Sequence, residues 1–91
     1  MKRVHLFVSG VVQGVGFRKW VRRNARVSHV TGWVKNRSDG SVEVVAEGDE
    51  KGLVLFSEAC REGPPGGDVR NMEVYWEKAT GEWSTFSICE V

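Results

Sequence analysis

The spacing of apolar residues changes period along the chain, and the order of those changes restricts the fold more than any other feature. Residues 3–9 alternate, with Val4, Leu6 and Val8 on one side and His5, Phe7 and Ser9 on the other, which predicts a strand. From Phe17 the spacing becomes helical. Phe17, Trp20, Val21, Asn24, Ala25 and Ser28 form one stripe, and Arg18, Lys19, Arg22, Arg23 and Arg26 take the opposite side. This predicts an amphipathic helix ending near Ser28 or His29. Residues 31–37 predict a second strand, and Asp39-Gly40 is a hairpin turn signal. Residues 41–47 alternate as a third strand, with Val42, Val44 and Ala46 inward. Asp49 is a good N-cap for a second helix whose inward stripe is Leu53, Phe56 and Cys60. Gly63 ends that helix and Pro64-Pro65 prevents its continuation. Residues 68–77 alternate again, placing Met72, Val74 and Trp76 inward, and residues 83–88 predict a last short strand carrying Phe86 and Ile88.

The resulting order, β-α-β-β-α-β plus a short terminal strand, matches an α+β, ferredoxin-like sandwich. It predicts an antiparallel sheet in the order 4-1-3-2 with both helices on one face. Residues 1–91 suffice for one domain, and an apolar content of 41% predicts a folded core rather than disorder. No apolar run reaches membrane-spanning length and the first residues show no secretory pattern, so the expectation is a cytoplasmic protein without a membrane partner. Cys60 and Cys89 are too few and too far apart for a metal site, and His5 and His29 are not spaced to complete one. Two free, largely buried thiols are expected in a reducing compartment, with a Cys60–Cys89 bridge as the alternative. His5 reads as an ordinary strand residue.

Net charge is only +1, but it is unevenly spread. Residues 1–40 hold nine Lys and Arg against one acid, a net of +8, while residues 41–91 hold four against eleven, a net of −7. The basic half favours an anionic ligand unless the two halves interleave in the fold and their fields cancel.

Between the first strand and the first helix lies Ser9-Gly10-Val11-Val12-Gln13-Gly14-Val15-Gly16-Phe17-Arg18. Glycines at such a turn let successive N–H groups point into one small space, and the first N–H groups of the helix lack internal partners. That combination binds anions, phosphate above all, and Arg18 adds a planar fork at the first turn. The stretch is not a dinucleotide fingerprint, since Lys19 stands where a third glycine would be. Nor is it a nucleotide-hydrolase phosphate loop, since no Gly-Lys-Ser/Thr follows. On these residues alone a phosphate cradle and a flexible turn with a surface arginine both remain open. Asn36 also stands out, because asparagine is depleted in strands. Either it belongs to the adjacent hairpin turn or its amide is aimed at a ligand.

Gly10-x-Val12-Gln13-Gly14-Val15-Gly16-Phe17-Arg18, together with Gly32-Trp33-Val34-x-Asn36-x-x-Asp39-Gly40-x-Val42-Glu43, resembles the acylphosphatase family over essentially the whole chain. The resemblance implies hydrolysis of the carboxyl–phosphate bond of acyl phosphates to a carboxylate and inorganic phosphate. It places the family's phosphate-binding arginine on Arg18 and its water-orienting asparagine on Asn36. It places the backbone cradle on Gln13, Gly14, Val15, Gly16, Phe17 and Arg18, with no metal and no organic cofactor. The partner it implies is a small-molecule acyl phosphate acted on by a monomer, with no nucleic acid. The helix exit Val27-Ser28-His29-Val30 and the loop Pro65-Gly66-Gly67 depart from the family's pattern without touching either motif. The alternatives are a non-catalytic phosphate- or RNA-binding module of the same fold and a domain related to carbamoyl-transfer enzymes. An RNA-binding face would use Phe7, Trp33 and Tyr75, yet residues 41–47 carry no aromatic.

Overall fold

The computed structural model describes residues 1–90. It contains β1 (Lys2–Val11), α1 (Phe17–Val27), β2 (Thr31–Asn36), β3 (Val42–Gly48), α2 (Glu50–Glu62), β4 (Asp68–Lys78) and β5 (Phe86–Cys89). The sheet order is β4-β1-β3-β2-β5, so the expected 4-1-3-2 arrangement holds and β5 extends it beyond β2. The first four strands pair antiparallel, whereas β5 runs parallel to β2, with Gly32 opposite Phe86 and Lys35 opposite Cys89.

The alternation read along the strands is the one the sheet uses. Val4, Leu6 and Val8 of β1 face Ala46, Val44 and Val42 of β3, and all six side chains are buried. Both helices cover this row. Phe17, Val21 and Ala25 of α1 and Leu53, Phe56 and Cys60 of α2 complete the core, and the Phe56 ring meets Phe86 of β5 edge-on at 5.7 Å. The helix limits follow local chemistry. The Asp49 carboxylate accepts from the Gly52 N–H at 2.8 Å, satisfying an orphan donor at the start of α2. Gly63, with φ of 69°, closes its other end through a 3.0 Å bond to the Ala59 carbonyl.

Three expectations need correction. The last strand begins at Phe86 rather than Trp83, because the stretch ahead of it is drawn across the sheet end, where the Arg3 guanidinium lies 4.9 Å from the centre of the Trp83 ring. Trp76 points to the same side as Val4 but is half exposed, since β4 is an edge strand that the helices leave largely uncovered. Cys89 is a free thiol that is only partly buried, because β5 is the other edge; Cys60 is free and fully buried, and burial pushes its thiol far above the ordinary range.

The charge halves do interleave. Basic β1 and β2 alternate with acidic β4 and β3 across the sheet, and Lys2–Glu50, Arg3–Glu47 and Lys35–Glu43 pair at 2.6, 2.8 and 3.9 Å. One of these pairs does structural work that alternation alone did not reveal. Glu47 is 1% exposed and accepts from Arg3 Nε at 2.8 Å, the Thr80 N–H at 2.9 Å and the Gly81 N–H at 2.9 Å. Burial by itself raises a carboxyl, but the two amides and the guanidinium outweigh it and hold Glu47 below its ordinary value. The loop between β4 and β5 is thereby tied to the sheet.

Candidate active site

The loop after β1 turns through Gly14 at φ of 76° and Gly16 at φ of 77°, both in the left-handed region. A side chain at either position would be strained, although nothing stands within 4 Å of where its Cβ would be. The space beside these glycines is therefore open to a ligand. Gly16 is the N-cap of α1 and supplies no side-chain cap. Its carbonyl accepts the first bond of the helix, from the Trp20 N–H at 3.1 Å. Among the described residues, no backbone carbonyl accepts from the N–H groups of residues 13–19 outside the helix ladder. Free donors of this kind, beside the positive end of a helix dipole, have the chemistry that suits an anion.

A pocket of about 200 Å³ opens against this loop, lined by Gly14, Gly16, Arg18, Lys19, Asn36 and Glu90 among others. The fold thus brings Arg18 and Asn36, which are separated along the chain by most of α1 and β2, to one cavity. Phe17 also touches it and roots the loop, with its ring in the core at 2% exposure. Arg18 stays partly exposed, with Nη1 3.5 Å from the Glu90 carboxylate. Asn36 ends β2, and its Oδ1 is buried without a hydrogen-bond partner among the described residues. A buried acceptor is costly to leave unmet, and Thr31 Oγ1 is the other such buried side-chain atom among the described residues.

Gln13 and Val15 do not line the pocket. Val15 packs against the core. The Gln13 side chain turns to the β2–β3 turn, where Nε2 donates to the carbonyls of Arg37 and Ser41, both at 2.9 Å. The turn itself is stiffened by Asp39, whose carboxylate accepts from the Ser41 hydroxyl and N–H; those two bonds, then the Arg37 charge, hold its carboxyl below the ordinary range. Neither the Gln13 contact nor the approach of Glu90 was signalled by spacing. Both join segments far apart in sequence. Among the described residues, no three His, Cys, Asp or Glu side chains converge as a metal site would require.

Comparison with known proteins places the chain by family and fold. The Acylphosphatase family matches residues 4–88. An acylphosphatase of Pelotomaculum thermopropionicum is 48% identical over 86 residues, covering 94% of each chain. The crystal structure of acylphosphatase from Bacillus subtilis superposes with a TM-score of 0.94 at 42% identity, covering 98% of this chain and 99% of that one. An acylphosphatase structure from Coxiella burnetii gives a TM-score of 0.88 at 41% identity, covering 96% and 90%. With both motifs on one pocket and the match running the length of the fold, the chain belongs to the acylphosphatase family.

Proposed function

We propose that this protein hydrolyses the carboxyl–phosphate bond of small acyl phosphates, with Arg18 and the loop amides gripping the phosphoryl group and Asn36 holding the attacking water. The observation that carries the reading is the meeting of Arg18, the open glycine loop and Asn36 on one small cavity. A carboxylate is a good leaving group, so the chemical demand is electrostatic. Charge on the equatorial phosphoryl oxygens must be spread while water approaches in line. Amide donors and a guanidinium meet that demand without a nucleophilic side chain. Asn36 supplies proximity rather than basicity, and a phosphoryl oxygen can take the proton. Cys60 is buried and its thiol is disfavoured as thiolate, so no covalent thiol step enters. All the named groups come from one chain, which suits a monomer.

The RNA-binding alternative gains little support. Phe7 lies under Arg37 at 5.1 Å and stacks on His5 at 4.6 Å, and Glu43 and Glu77 sit beside that histidine. Engaged rings among carboxylates make a poor platform for a polyanion.

The test is phosphate release from benzoyl phosphate, set against a phosphate monoester. The wild type should hydrolyse the first and leave the second nearly untouched. Asn36→Ala should lose roughly a hundredfold in kcat while still binding phosphate. Equal turnover by Asn36→Ala would remove that residue from the mechanism.

A further inference from the structure

We infer that Gln13 is a positioning residue whose side-chain amide sets the distance between the phosphate loop and Asn36; this rests on the hydrolase reading above. The two halves of the site lie on strands that are not neighbours. The loop leaves β1 and Asn36 ends β2, with β3 between them. No sheet ladder couples the halves directly. Gln13 Nε2 bridges the gap, 2.9 Å from the Arg37 carbonyl and 2.9 Å from the Ser41 carbonyl. A primary amide carries two hydrogens, one for each carbonyl. Among the described residues, no other hydrogen bond joins residues 12–18 to residues 36–41.

The object it grips is stiff. The Ser41 carbonyl also accepts from the Arg37 N–H at 2.8 Å, and the Arg37 carbonyl from the Gly40 N–H at 3.2 Å. Asp39 holds Ser41 from the other side. Asn36 immediately precedes this turn, so a shift of the turn relative to the loop becomes a shift of its carboxamide relative to bound phosphate. A misplacement of about 1 Å in a reacting group can cost on the order of a hundredfold. The phosphate contacts themselves, from the loop amides and Arg18, do not pass through the Gln13 side chain, and Gln13→Ala keeps its backbone N–H.

The discriminating experiment is a double-mutant cycle with benzoyl phosphate, with inorganic phosphate as the binding probe. Gln13→Ala should lower kcat by roughly tenfold or more and change phosphate affinity by less than about threefold. In an Asn36→Ala background the same change should be nearly silent, because the group it positions is gone. Gln13→Glu keeps the shape but presents a carboxylate to two carbonyls. Its kcat should be low at neutral pH and recover as the carboxyl gains a proton and with it a donor. Equal losses from Gln13→Ala with and without Asn36 would overturn the inference, as would parallel losses of kcat and phosphate affinity. So would a Gln13→Glu profile that follows the wild type. A wild type that releases no phosphate from benzoyl phosphate defeats the hydrolase reading and this inference together. An active wild type with additive Gln13 and Asn36 effects defeats the positioning role alone.

Discussion

Replacing Arg18 by Met would remove the guanidinium fork and keep most of the apolar stem against the site. The expected loss in phosphate affinity follows from the environment. A hydrogen bond to a charged group is worth about 1.5–3 kcal/mol. The Arg18 side chain is 30% exposed at the edge of an open pocket, so the lower value applies to each of two bonds, for about 3 kcal/mol. Against this stands the pair that Arg18 already makes in the free protein, 3.5 Å from a Glu90 carboxylate that is 80% exposed. Giving up so exposed a pair costs at most about 1 kcal/mol. The difference, about 2 kcal/mol, is roughly a thirtyfold change in dissociation constant. Calorimetric titration with inorganic phosphate, checked by its competitive inhibition of benzoyl phosphate hydrolysis, measures it. Arg18→Lys, a point charge without the planar fork, should fall between wild type and Arg18→Met. If Arg18→Met bound phosphate within threefold of wild type, the main-chain cradle alone would account for affinity and the arginine would have to act elsewhere.

Glu90→Gln should tighten phosphate binding by up to about fivefold, since it frees Arg18 from an exposed competitor, and the gain should fade at high salt. Gly32→Ala should cost more than about 4 kcal/mol, because φ there is 140° and a Cβ would stand 1.9 Å from the Val45 carbonyl oxygen. A variant melting within a few degrees of wild type would contradict that backbone geometry. The Glu47 carboxyl is held below its ordinary value of 4.5, so its stabilising effect is full above that pH and fades as pH falls through the depressed value. Melting temperature against pH should therefore drop less steeply on the acid side in Glu47→Gln. That variant should also be less stable at neutral pH, where an amide replaces an acceptor facing several donors. Identical acid limbs in the two proteins would show that Glu47 does not anchor the loop.

What the sequence determined by itself is the set of decisions made within a few residues. Alternation along residues 3–9 set which side chains of β1 face the helices, and the stripe from Phe17 set the buried side of α1. Asp49 and Gly63 marked the limits of α2, and the glycines before Phe17 marked the loop that leaves α1's first donors free. These outcomes depend on local geometry and turn chemistry, which neighbouring residues dictate. Edges and long-range meetings were decided only by the tertiary structure. Trp76 shares its side with Val4 yet lies half in solvent, because exposure depends on where the helices end and not on period. The parallel docking of β5 on β2, the burial of Glu47 under the β4–β5 loop and the reach of Glu90 to Arg18 all join distant segments. Gln13 shows the division within one residue. Its place in the loop was readable from its neighbours, but its grip on carbonyls 24 and 28 residues away exists only because β3 lies between β1 and β2 and brings the turn beside it.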